Sequence, residues 1–208
     1  DGSQPGPRDS FFDREEDKAL VRTRTLNMLV TQFLAQPFFA DLRTKQQLGY
    51  LVSARADSVN GMTGVHFRVQ SSHTPCAELE KRIRTFLDSF EETVLLQKSE
   101  EEFGEFKKGI ISKLEEKPKK LAQEFALHWS EISFRSMNFF WKDTAVAFLK
   151  ELRREEFLQY WREEVYASPK MWVHVPGPTD DSVGREPVTD VKLGKDFEQL
   201  VNNRVVTV

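Results

Sequence analysis

The chain has 208 residues, enough for one domain with a full core and cramped for two. Apolar residues make up 39%, with 17 Phe and 4 Trp, a composition that excludes an intrinsically disordered chain. The formal net charge of −3 gives no global field favouring nucleic acid or an anionic membrane, no apolar run is long enough to span a bilayer, and a single cysteine, Cys76, excludes an internal disulfide framework and fits a reducing, cytosolic setting.

Residues 1–16 are rich in Gly, Pro, Ser and charge, which reads as a flexible lead-in or loop. The chain starts at Asp1 without a methionine and lacks a signal peptide, so it reads as a fragment with any targeting signal upstream. Leu26, Leu29, Val30, Phe33 and Leu34 recur at helical spacing and predict a helix over residues 17–36, stopped by Pro37. A second short helix carries Leu42 and Arg43 towards Gly49, where a glycine lets the backbone turn sharply and another chain come close. Residues 50–56 alternate. After the Asn60-Gly61 turn signal, Val65, Phe67 and Val69 face one way and His66, Arg68 and Gln70 the other, which predicts an antiparallel hairpin with one apolar face.

Thr74-Pro75 opens a helix with the stripe Leu79, Ile83, Phe86, Leu87, Phe90 and Val94. Ser99 with Glu102 is a capping box that starts the next, whose buried side is Phe103, Phe106, Ile110, Ile111 and Leu114. Pro118 separates it from a third, with Leu121, Phe125, Trp129 and Ile132 at helical intervals. Residues 154–166 offer Phe157, Trp161 and Val165 as a fourth, residues 171–175 read as a third strand, and residues 176–208 form a loop and a C-terminal tail. The fold class is therefore α+β, an antiparallel sheet packed on one face by several helices, with residues 17–175 as one domain.

Catalytic motifs are scarce. No Gly-x-Ser-x-Gly, P-loop or dinucleotide fingerprint occurs, and Cys76 has no nucleophile motif around it, reading as a half-buried small residue in a first helical turn. In His128-Trp129-Ser130-Glu131-Ile132 an isoleucine stands where a second metal ligand is needed, so His128 reads as a helix-surface histidine. His66 and His174 lie on polar-facing strand positions. They would chelate a metal only if their strands paired in register, and the bland alternative is two solvent-facing imidazoles. His73 contributes to a turn. Lys117, Lys119 and Lys120 flank a helix start, where the dipole and free N–H groups favour an anion; the alternative is a solvated turn.

Arg43-Thr44-Lys45-Gln46-Gln47-Leu48-Gly49-Tyr50, preceded by Pro37-Phe38-Phe39, resembles the matching run in the C-terminal half of insulysin, pitrilysin and nardilysin, the inverted-motif zinc metallopeptidases. The resemblance continues through Asn60-Gly61, residues 116–121, Trp129-Ser130-Glu131-Ile132 and Val173-His174-Val175, covering residues 24–175 in order and spacing. It implies the fourth, non-zinc domain of such an enzyme, with another strand upstream of the first helix that residues 1–16 do not match. The family's His-x-x-Glu-His motif is absent, so the resemblance implies no metal in this chain, inactivity alone, and zinc carried by an N-terminal half of the same polypeptide. It also implies that Arg43 and Tyr50 reach across a closed chamber to the substrate backbone, where the phenol helps stabilise an oxyanion. The alternative is that Arg43 pairs with a nearby acid and Tyr50 merely starts a strand. Lys117, Lys119 and Lys120 correspond to a basic chamber wall suited to polyanions. A rival reading is a non-catalytic structural or docking module of the same fold.

Overall fold

The computed structural model describes residues 15–59, 62–178 and 180–183. The lead-in over residues 1–14, the Asn60-Gly61 turn and the tail from residue 184 lie outside the described residues.

Helix α1, Glu15–Phe39, is the axis of the fold. Leu26, Leu29, Val30, Leu34 and Phe38 have no exposed surface, and neither do the polar Thr25 and Asn27, so α1 is buried on more than one side. Its buried polar groups are satisfied locally: Thr25 Oγ1 donates to the Val21 carbonyl at 2.6 Å, and Asn27 accepts from the Tyr160 hydroxyl at 2.9 Å. Pro37 does not end the helix as its position in the sequence predicts. It sits in the last turn of α1, and the chain continues directly into a π-helical turn, Ala40–Lys45, in which Gln46 N–H donates to the Asp41 carbonyl five residues back.

Strands β1, Leu51–Val59, and β2, Met62–Gln70, pair antiparallel with Val52 opposite Val69, Ala54 opposite Phe67 and Ala56 opposite Val65. Val52, Ala54 and Val65 are buried against α1, while Arg55 and His66 pair on the other face. The apolar and polar faces fall as the alternation predicts.

Residues 171–175 are not a strand. They lie along α2, Cys76–Phe90, with the Arg84 guanidinium 4.5 Å over the Trp172 ring and His174 Nε2 2.9 Å from Glu80 Oε2. Val173 and Val175 are exposed, so the alternation was real but its apolar side has no sheet to cover. Among the described residues the sheet therefore has two strands.

The helical stripes pack as their spacing requires, except over residues 121–132, where Leu121, Phe125, Trp129 and Ile132 are exposed and Glu131 is buried instead. On α2, Leu79, Ile83, Phe86, Leu87 and Phe90 are buried, and the helix runs into a second π-turn, Glu91–Leu95. Helix α3, Glu100–Glu115, opens with the full capping box: Glu102 N–H donates to Ser99 Oγ at 3.2 Å, and Ser99 N–H to Glu102 Oε2 at 2.9 Å. Helix α4 is Leu121–Ser133, α5 is Trp141–Glu151, and α6, Arg154–Tyr160, passes into a third π-turn, Trp161–Tyr166. Helix α5 has no counterpart in the sequence reading. Its buried Trp141, Ala145, Val146 and Leu149 have helical spacing, but it starts at Phe140 without any side-chain cap. Aromatic rings tie the layers together: Phe33 of α1 stacks on Phe106 at 4.0 Å, Phe38 meets Phe67 and Phe86 at 5.3 and 5.2 Å, and Phe90 meets Trp161 at 4.9 Å. The architecture is α+β, with helices on one face of an antiparallel hairpin.

Candidate functional site

The corner between α1 and β1 brings Arg43 and Tyr50 together. Arg43 lies in the first π-turn, and its Nη1 donates to the Gly49 carbonyl at 2.8 Å. The guanidinium carbon then sits 5.4 Å from the centre of the Tyr50 ring, within cation–π range. Tyr50 is 87% exposed, so its phenol projects away from the core. The nearest acid in sequence does not compete for the arginine, since Asp41 accepts from Gln46 Nε2 at 2.7 Å and lies 4.0 Å from Lys45 Nζ. Among the described residues Arg43 makes no ion pair with a carboxylate.

Two backbone features hold this corner, and they divide between two residues the role expected of Gly49 alone. The left-handed residue is Gln47, with φ of 52°. Gly49 supplies the close approach: a Cβ there would stand 2.0 Å from the Gln70 carbonyl oxygen, at the far end of β2. Leu42 and Leu48 anchor the loop from beneath, both buried, with Leu48 N–H donating to the Leu42 carbonyl at 3.0 Å. Phe39, 45% exposed, adds an apolar surface four residues before Arg43, a feature visible in the sequence only as part of Pro37-Phe38-Phe39.

The lysines form a separate group at the start of α4. Lys117, Lys119 and Lys120 are all exposed, and Lys119 Nζ lies 3.4 Å from Glu116. Gln123 Oε1 accepts the N–H of Lys119 at 2.8 Å and of Lys120 at 3.2 Å, so those two amides already have a partner. Among the described residues these lysines are not in contact with Arg43 or Tyr50, whose partners are Gly49 and each other.

Metal ligands do not converge. Among the described residues no three His, Cys, Asp or Glu side chains are placed to hold an ion. His66 pairs across the hairpin with Arg55, His174 lies against Glu80 of α2, and the two do not share neighbouring strands. His128 is exposed and edge-on to Phe139 at 5.7 Å, and His73 N–H donates to Ser71 Oγ in the turn before α2. Cys76 opens α2, half-buried, its N–H donating to Asp180 Oδ2 at 2.8 Å. Burial and then the Asp180 carboxylate push its thiol above the ordinary range, the opposite of an activated nucleophile.

The family described as PQQ synthase PqqF-like, C-terminal lobe domain 4, matches residues 29–129. The insulin-degrading enzyme of Homo sapiens is 34% identical over 175 residues, which cover 80% of this chain and 17% of that protein. The chain belongs to the insulysin–pitrilysin family. A protein of Schizosaccharomyces pombe named "Putative zinc protease mug138" is 29% identical over 86% of the chain. The crystal structure of pitrilysin superposes with a TM-score of 0.61 at 25% identity, covering 69% of this chain and 15% of that one. This chain therefore spans less than a fifth of the length of the relatives it matches. Among the described residues no helix is long and apolar enough to cross a membrane.

Proposed function

We propose that this chain is the C-terminal domain of an insulysin-like zinc metalloendopeptidase, lining the peptide chamber and supplying substrate-backbone contacts to a zinc site on another domain of the same polypeptide. The observation that carries the reading is the corner itself: a phenol held in solvent by a guanidinium that is in turn held by the Gly49 carbonyl. As the scissile carbonyl becomes tetrahedral, the Tyr50 hydroxyl donates to its oxygen, and Arg43 adds positive charge while fixing the ring. Both contributions grow as charge develops, so they favour the transition state over the bound peptide. The zinc borne by the other half supplies the activated water. Among the described residues no three His, Cys, Asp or Glu side chains are placed to hold a metal.

The domain occupies residues 17–175 and the polypeptide is cytoplasmic, in keeping with one cysteine and no internal disulfide. Hydrolysis of a fluorogenic peptide tests the reading. The longer polypeptide is expected to show chelator-sensitive turnover and this chain alone none, with or without added zinc. Clear turnover by the isolated chain overturns the assignment.

A second role rests on the exposure of Lys117, Lys119 and Lys120 at one helix start. They form a polyanion-binding wall, through which tripolyphosphate or an acidic peptide regulates the enzyme. Binding is expected to weaken with salt, and replacing Lys119 and Lys120 by Ala is expected to weaken it further and flatten the salt slope. Salt-insensitive binding, or none, removes this role.

A further inference from the structure

Asp41 and Gln46 close the first π-turn on either side of Arg43. The backbone N–H of Gln46 donates to the Asp41 carbonyl at 3.0 Å, and its side-chain Nε2 donates to Asp41 Oδ2 at 2.7 Å, so one residue grips the other twice. Both side chains are half-buried. The side-chain bond has a carboxylate acceptor and is the stronger of the two. Lys45, 4.0 Å from the other carboxylate oxygen and largely in water, adds little. The far end of the Gln46 amide is also taken: Oε1 accepts from Arg82 Nη1 of α2 at 3.5 Å, and Arg82 Nε donates to Glu78 at 2.5 Å. A carboxylate on the nitrogen side and a guanidinium on the oxygen side give the amide one favoured orientation. The π-turn is thereby tied to α2.

The segment that follows needs such a tie. Gln47 stands at φ of 52°, a backbone conformation that a non-glycine residue keeps only where its surroundings hold it. It lies between Arg43 and that residue's acceptor, the Gly49 carbonyl, so a relaxed Gln47 would carry the carbonyl away from the guanidinium. The phenol would lose its guide as well, since Tyr50 is 87% exposed and the core does not fix its ring. We propose that Asp41 and Gln46 are positioning residues for the Arg43–Tyr50 pair, their side-chain bond aiming the guanidinium and, through it, the phenol at the substrate carbonyl. The inference rests on the reading that this pair acts on a bound peptide. A reacting group displaced by about 1 Å can cost on the order of 10²-fold in rate, so a bond remote from the chemistry is legible in kcat.

An isosteric change breaks the bond without altering the size of either side chain. Gln46→Glu sets a second carboxylate against Asp41, and adding Asp41→Asn restores the bond with donor and acceptor exchanged. In this chain, amide hydrogen exchange followed by NMR is expected to speed up at least ~10-fold at Leu48, whose N–H donates to the Leu42 carbonyl, in Gln46→Glu, and to return to the parent rate in the double variant. In the longer polypeptide Gln46→Glu is expected to lower kcat at least ~10-fold at an unchanged KM, and the double variant to recover it. On a Tyr50→Phe background the same change is expected to cost under ~3-fold, because a hydroxyl already lost cannot be misaimed. An effect of equal size with and without the Tyr50 hydroxyl marks a general loss of structure and overturns the proposal. So does an unchanged kcat in Gln46→Glu, or a double variant that recovers nothing. Failure of the peptidase reading appears separately: Tyr50→Phe then keeps full kcat while exchange at Leu48 still responds to Gln46→Glu, so the lock stands and its catalytic role falls.

Discussion

The Arg43 guanidinium lies 5.4 Å over the ring of Tyr50 while donating to the carbonyl of Gly49, the residue between them in the loop. The pair is one unit, in which the cation fixes the orientation of a phenol that the core does not touch. Removing the hydroxyl in the longer polypeptide, as Tyr50→Phe, is expected to lower kcat about 10²–10³-fold with little change in KM, the loss typical of one oxyanion donor. Arg43→Ala is expected to lower kcat as well. The unfolding midpoint of Tyr50→Phe is expected to match the parent, since the side chain is 87% exposed and contributes little to the core. Full activity in both variants would assign the domain to scaffolding.

Gly49→Ala tests the backbone of the same corner. The new methyl would meet the Gln70 carbonyl oxygen at 2.0 Å, and both groups are tied to backbone. The end of β2 has to move, at a cost of roughly 1–3 kcal/mol or more. Urea denaturation of this chain is expected to show that loss, whereas Gly104→Ala, where a methyl meets nothing within 4 Å, is expected to be stabilising by ~1 kcal/mol in the middle of α3.

Glu131→Ala is expected to be the most damaging single change on α4. It leaves Arg24, itself only 20% exposed, without its carboxylate, and it removes the acceptor of Ser136. Loss of one partner from a buried pair costs about 3–5 kcal/mol, against a total stability of about 5–15 kcal/mol for a domain. Chemical denaturation monitored by far-UV circular dichroism measures it. Leu121→Ser, on the exposed stripe, is expected to leave this chain within ~0.5 kcal/mol of the parent.

Tyr160 makes stability sensitive to alkali. The residue is 3% exposed, and its hydroxyl donates to Asn27 Oδ1 at 2.9 Å. Burial, with Glu164 adding to it, raises its pKa far above that of an ordinary tyrosine, against a smaller opposing effect of Arg22. Above pH ~10 the unfolded chain releases this proton while the folded chain keeps it. The unfolded state then binds fewer protons, and stability falls as pH rises from 10 towards the folded value. Unfolding free energies at pH 8 and pH 11 are expected to differ less in Tyr160→Phe than in the parent. The same variant strands Asn27, which has no exposed surface, and is expected to lose about 1–3 kcal/mol at pH 8.

Local order was largely written in the chain. The stripe of α2, the Ser99–Glu102 capping box and the two-residue alternation of the hairpin each depend on neighbours within a turn or across a short loop, and each stands where the spacing puts it. Nearby residues also carried the family, through Arg43 to Tyr50. Tertiary structure decided the rest, because burial is a property of what lies opposite. The alternation of residues 171–175 met α2 and no strand, and the apolar period of α4 met water, because its only inward anchor is the charged Glu131. Helix α5 needed the packing of Trp141 and Leu149 in place of a cap. The union of Arg43 with Tyr50 was equally beyond sequence: a left-handed Gln47 and a close-set Gly49 fold the six intervening residues back until the cation reaches the ring.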